Sequence, residues 1–267
     1  MEPGMAQTGK TVTALAAMAV ALGATAWHQF DLSSMVEPAG ASTPAAEGAA
    51  GSDHGAADVV TGPAAEALGG LEVKGRAPMT EYDRDRFGQA WSDAARVDGS
   101  RNGCDTRNDV LRRDLTKVTI KPGTNGCVVQ AGTLRSPYTG KTVPFERGED
   151  SGEVQIDHVV PLADVWVKGG QQLSDEERLD VANDPLNLVA VEGSVNASKG
   201  AGDAATWRPP ARGAWCANAA RQIAVKAKYD LWVTSAEKRA LGEMLKGCSG
   251  QQLPVADDVK VPQLATR

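Results

Sequence analysis

The chain predicts an α+β fold in one folded domain, with flanking helices around small antiparallel strands. Three observations carry this. Between residues 117 and 158, short apolar runs are separated by Gly-, Pro- and Asn-rich turns such as Pro122-Gly123-Thr124-Asn125-Gly126 and Tyr138-Thr139-Gly140. On either side, segments of helical period open at capping residues. Four cysteines, Cys104, Cys127, Cys216 and Cys248, none in a C-x-x-C pair, suit two disulfides better than a zinc site.

The first 26 residues are expected to be a secretory signal. Lys10 precedes an apolar stretch with no further charge until Asp31, and Ala24-Thr25-Ala26 supplies small residues for cleavage. At roughly sixteen residues the stretch is short of the ~20 that span a bilayer. The expectation is therefore an extracellular protein with no stable membrane association after signal removal; an uncleaved anchor is the alternative. Residues 27–77 are rich in Ala, Gly, Ser and Pro and are expected to be a disordered acidic linker. His28 and His54 fall there and are given no role.

The folded domain is expected over 78–248, followed by a flexible tail over 249–267. Thr80 is read as the cap of a helix over 80–97, with acids Glu81, Asp83 and Asp85 near its start and Phe87, Trp91 and Ala94 on one face. A second helix is expected over 105–115. Strands follow over 117–120, 127–134, 142–145 and 153–158. A helix over 163–167 should end at Gly169-Gly170, and Ser174-Asp175-Glu176-Glu177 is a capping box. A strand over 188–191 leads to a short helix capped by Ser194. Two helices, over 217–229 and 235–246, close the domain, the last with a capping box from Thr234 to Glu237. Three cysteine pairings are open, and the short local loops favour Cys104–Cys127 and Cys216–Cys248. Trp166, Trp207 and Trp232 are read as core.

The net charge is −6, but seven acids against the single base Lys74 lie between residues 27 and 75, so the rest is close to neutral. Tight binding driven by counterion release would need a basic face; transient hydrolysis of a phosphodiester would not.

His158 is the one histidine of the expected domain. It follows Asp157 in Gln155-Ile156-Asp157-His158-Val159-Val160-Pro161-Leu162. Asn187 stands in Asp184-Pro185-Leu186-Asn187-Leu188, and Asn196 in Asn196-Ala197-Ser198-Lys199-Gly200. Water attack on a phosphodiester needs a base, positive charge near the leaving oxygen, and rigid positioning. A neutral imidazole can be the base. One carboxylate and one amide suit a hard cation that keeps several waters. Adjacent strand side chains point to opposite faces, so Asp157 and His158 can share a site only if the strand ends or bends there.

These three segments resemble the HNH endonucleases, in particular secreted actinobacterial proteins related to the C-terminal domain of GmrSD restriction endonucleases. Flanking segments at 132–140, 204–207 and 220–226 extend the likeness to roughly residues 78–248. The resemblance implies a ββα-metal (His-Me finger) nuclease core, with His158 as general base, Asp157 and Asn196 as metal ligands, and Asn187 tying the loop and holding the imidazole. Asn196 stands where the namesake pattern has its last histidine; an amide oxygen favours Mg²⁺, with Mn²⁺ as the alternative, over zinc or nickel. Lys199 and Arg221 are candidate substrate contacts. The expected activity is divalent-metal-dependent hydrolysis of DNA, or of RNA, with little sequence preference, leaving 5′-phosphate ends. An immunity partner is implied if the protein is a delivered toxin. The alternative is a non-catalytic exported module that keeps the fold and binds nucleic acid or the cell envelope.

Overall fold

A computed structural model describes residues 61–262. The expected signal and most of the expected linker lie outside the described residues. Two antiparallel sheets form the α+β centre. In the first, β1 (Leu115–Ile120), β2 (Val129–Arg135) and β3 (Thr142–Glu146) run in sequential order. The second pairs β4 (Val154–His158) with β5 (Leu188–Glu192), register Val154 to Glu192 through His158 to Leu188. Helix α2 (Thr106–Asp114), N-capped by the Asp105 carboxylate, lays Val110 and Leu111 into a core shared by both sheets.

Strand alternation decides which β4–β5 side chains reach which core. Val154, Ile156, Leu188 and Ala190 enter the α2 core, while Val189 and Val191 pack on the opposite face with Tyr138 and Val159. Directly after β5, helix α5 (Gly193–Lys199) covers that second face. Gly193 is needed at the junction, because a Cβ there would lie 2.2 Å from the Gly152 carbonyl oxygen.

Four more helices and a kinked segment enclose this unit. After α3 (Leu162–Val165) the chain passes through a π-helical turn, Trp166–Gly170, where Lys168 and Gly169 leave helical geometry. Helix α4 (Asp175–Asn183) starts at the expected Ser174–Glu177 capping box. Helix α6 (Trp215–Lys228) sends Ala219, Ala220 and Ile223 against α7 (Ser235–Leu245), and Ala224 and Val225 into the core that holds Trp166. Both expected disulfides form, Cys104–Cys127 and Cys216–Cys248.

Four expectations are corrected. The helix over 80–97 is absent. Only a 3-10 turn, Arg84–Phe87, is helical, and the rest is turns. Gly88 adopts φ 77° and Trp91 φ 58°, and the Asp93 carboxylate accepts from the backbone amides of Asn102 and Gly103, so local side-chain bonds outcompete the helix. The linker does not run to residue 77. Helix α1 (Pro63–Gly70) buries Ala64 and Leu68, with Leu71 beyond it, against α6 and α7. The tail is partly anchored, with Val259 and Val261 buried. The Thr234 box is half formed: Thr234 accepts from the Glu237 amide, but the Glu237 carboxylate turns inward to two lysines.

Candidate active site

The strand–strand–helix unit β4–β5–α5 brings the expected residues to one cleft. Asp157, His158 and Asn196 line a cavity of about 380 Å³ together with Gln155, Arg84 and Arg107. Strand β4 ends at His158, and the Val159 amide then donates to the Asn187 carbonyl at 2.7 Å. Termination at this residue lets two neighbours of opposite parity reach one space.

His158 is half-buried, and its Nε2 lies 2.9 Å from the Ala182 carbonyl oxygen. A carbonyl can only accept, so Nε2 carries the proton and Nδ1 keeps a free lone pair. Burial, reinforced by the charges of Arg84 and Lys199, pushes the imidazole down to about 4 against the pull of the Ala182 carbonyl. The ring is neutral at ordinary pH. Trp91 stacks beside it, with ring planes 15° apart and centroids 6.1 Å apart.

Asp157 is buried on the α5 side. Its Oδ1 accepts from Lys199 Nζ at 2.8 Å and its Oδ2 from the Tyr138 hydroxyl at 2.6 Å. Lys199 Nζ also donates to the His158 carbonyl at 2.7 Å. Burial raises the Asp157 carboxyl, with Lys199 and Tyr138 opposing. Burial and the Asp157 charge hold the Tyr138 phenol well above its usual range, so it remains a donor.

Asn187 is fully buried and knits the loop. Its Oδ1 accepts from the Val160 amide at 2.8 Å, and its Nδ2 donates to the carbonyls of Val181, at 3.0 Å, and Val160, at 3.3 Å. The imidazole itself is held by Ala182, the neighbour of Val181, so Asn187 acts on it at one remove. Asn196 is half-buried; its Nδ2 donates to Gln155 Oε1 at 2.9 Å, which leaves its Oδ1 without a partner among the described residues.

Lys199 and Arg221 stand behind the cleft. Lys199 is buried in its pair with Asp157. Arg221 gives its guanidinium to the carbonyls of Leu186, Pro185 and Leu188, each at 2.7 Å, and burial lowers it to about 10. Arg113 grips the same turn through Pro185 and Leu188. The charges that do face the cleft come from elsewhere. Arg84 is exposed and Arg107 half-buried, and neither has a carboxylate partner among the described residues. Neither carries a sequence signal; they lie 74 and 51 positions before His158 and converge only in the fold.

A resident cation can be weighed against this donor set. Among the described residues no group of three or more His, Cys, Asp or Glu side chains could share a metal. Asp157 and Asn196 both line the cleft; a carboxylate, whose two oxygens each also accept one hydrogen bond, and an amide oxygen suit an oxygen-seeking ion that keeps most of its water.

Residues 105–244 match the family described as GmrSD restriction endonucleases, C-terminal domain. A protein of Arthroderma benhamiae named "uncharacterized secreted protein" is 39% identical over 183 residues, covering 68% of this chain and 82% of that protein. No solved structure matches. The chain belongs to the GmrSD C-terminal-domain family, an HNH-like, nuclease-related group. The fungal relative shows that the likeness is not confined to actinobacterial proteins.

Proposed function

We propose that the protein is a secreted, divalent-metal-dependent endonuclease built on a ββα-metal core. The observation that carries this is the His158 geometry: Nε2–H on the Ala182 carbonyl, Nδ1 unprotonated, in a cleft shared with Asp157 and Asn196. Asp157 and Asn196 would hold Mg²⁺ or Mn²⁺ through oxygen. When bound, the ion supplies positive charge to the scissile phosphate and the departing 3′ oxygen. His158 Nδ1 takes a proton from the attacking water, and Ala182 fixes the ring so that this lone pair stays directed. Lys199 and Tyr138 keep the Asp157 carboxylate ionised and oriented. Arg84 and Arg107 bind substrate phosphates by charge-assisted hydrogen bonds. The products would carry 5′-phosphates. Secretion is supported by the relative's name and by the two disulfides.

The test is incubation of the purified protein with single- and double-stranded DNA and RNA across Mg²⁺, Mn²⁺, Ca²⁺ and Zn²⁺, with EDTA and His158→Ala as controls. Metal-dependent cutting that His158→Ala abolishes is expected. Undiminished cutting by that variant would defeat the mechanism, and no cutting of any substrate would favour a non-catalytic binder.

A further inference from the structure

The cleft is short of negative charge. Asp157 is the one carboxylate among its lining residues, and Arg84 and Arg107 line the same space. That carboxylate is already neutralised. Lys199 Nζ donates to its Oδ1 at 2.8 Å and to the His158 carbonyl at 2.7 Å, and the lysine side chain is buried, so the ammonium is fixed in place. The Tyr138 hydroxyl donates to Oδ2. More positive charge stands nearby: Arg221 acts on Asp157 through its charge, and Arg147 joins burial in lowering the Arg107 guanidinium. His158 is neutral at ordinary pH, and the Asn196 and Gln155 amides carry no charge, so none of the three offsets the excess.

We infer that Lys199 makes cation binding at this cleft conditional on substrate: its ammonium neutralises Asp157, so the cleft accepts a divalent ion only together with a phosphate-bearing strand. The inference rests on the nuclease reading above and names what governs loading of that site. A hard divalent ion is held chiefly by full negative charge, and magnesium is commonly bound through one or two carboxylates together with substrate phosphate. An aspartate already paired with a lysine offers little net charge. The ammonium and the ion also repel each other across the shared carboxylate, and more strongly in a buried wall than in water. Arg84 and Arg107 add to that repulsion until an anion covers them. A nucleic-acid strand reverses each effect. Its phosphates pair with the guanidiniums and supply the negative charge that Lys199 has cancelled on Asp157. Coupling of this kind is reciprocal, so the ion tightens binding of the strand by the same factor as the strand tightens binding of the ion.

The experiment titrates Mn²⁺ into the full-length His158→Ala protein, a non-cutting background that leaves the charge of the cleft unchanged, and reads free Mn²⁺ by electron paramagnetic resonance. Titrations are run with and without a short DNA oligonucleotide, single-stranded or annealed, and the oligonucleotide alone is the blank. Fluorescence anisotropy reads the strand in the same mixtures at constant ionic strength. We expect Mn²⁺ to bind at least roughly tenfold more tightly with the oligonucleotide than without it, and the strand to gain the same factor from Mn²⁺, whereas screening alone would weaken it. In the same background, Lys199→Gln keeps an N–H for the two acceptors and loses the charge; Lys199→Met loses both. Whichever of the two folds should bind Mn²⁺ alone at least roughly tenfold more tightly, and Tyr138→Phe, which removes a neutral partner of the same carboxylate, should not. Mn²⁺ held equally well with and without the oligonucleotide overturns the inference and leaves His158-dependent cleavage standing. So does an unchanged affinity for Mn²⁺ alone once the Lys199 charge is removed, or a Tyr138→Phe protein that matches the lysine variants. Cutting that persists in His158→Ala, or no binding of any oligonucleotide, would instead remove the nuclease reading, and this inference with it.

Discussion

Lys199 and Asp157 form a buried ion pair at 2.8 Å, the lysine side chain 1% and the aspartate 6% exposed, in the wall of the cleft that Asp157 lines. Breaking one half of such a pair strands the other charge in a poor solvent. Lys199→Met should therefore destabilise the protein by about 3–5 kcal/mol and raise the Asp157 carboxyl further, moving the acid limb of activity upward. The double variant Asp157→Asn/Lys199→Met should recover much of the stability and none of the activity. Urea titrations of the three proteins check this; a Lys199→Met protein as stable as wild type would show that the pair is not closed in solution.

The pH dependence follows from two groups. His158 must be neutral, and burial holds it at about 4. Asp157 must be ionised, and burial raises it. The acid limb of kcat/KM is a joint property of the pair: the imidazole alone would place it below its ordinary value of about 6.5, and the raised Asp157 carboxyl moves it upward. Stability moves in the same window. As pH falls below about 6.5 the unfolded chain gains a proton on this histidine that the folded chain refuses, so stability declines until about pH 4 and the contribution is then complete. Melting temperatures should thus fall more steeply between pH 7 and 4.5 for wild type than for His158→Gln. Parallel curves would contradict the buried neutral ring.

Arg84 and Arg107 are separable from Arg221 by salt. With His158→Ala as a non-cutting background, removing either cleft arginine should lower the slope of log affinity against log salt by roughly 0.7–0.9. Arg221→Lys should leave that slope unchanged and lower the unfolding midpoint instead, because its three carbonyl bonds require the guanidinium fork. A slope change with Arg221→Lys would return that residue to the substrate.

Glu237 is completely buried with Lys168 at 2.6 Å and Lys226 at 3.0 Å, and the same lysines meet Asp164 at 2.5 and 2.8 Å. Asp203 adds a further contact to Lys168 at 2.7 Å. The surrounding carboxylates outweigh burial and hold the Lys168 ammonium above its usual range, so this stabilisation is fully present at neutral pH and is lost only as pH rises past that range. Glu237→Gln should cost about 3–5 kcal/mol in a denaturant melt. A change below about 1 kcal/mol would mean that water reaches the cluster.

The parts legible in the sequence were those encoded locally. Ser174 and Thr234 announce their helices through their own side chains, and turn residues bracket the strands closely. Asp157, His158 and Asn196 were legible through their motif and its family likeness, and they meet because β5 pairs with β4 and runs directly into α5. What was hidden depends on distance or on the backbone. Trp91 looked like a helix-face residue because its period matched, whereas its ring stacks on an imidazole 67 positions later. The carbonyl of Ala182 orients that imidazole and has no side-chain signature at all. Lys199 and Arg221 read as candidate substrate contacts, and only the fold shows them satisfied inside it. Gln155, which orients the Asn196 amide, reads in sequence as one polar position in an alternating strand.

Helix α1 has a practical consequence for handling this protein. Recombinant versions trimmed to begin at residue 78 would strip Ala64, Leu68 and Leu71 from α6 and α7, leaving a greasy seam of Ile223 and Leu241 open to self-association. Expression boundaries belong upstream of Thr61, and a protease that nicks between residues 71 and 78 should leave the short helical piece bound to the remainder.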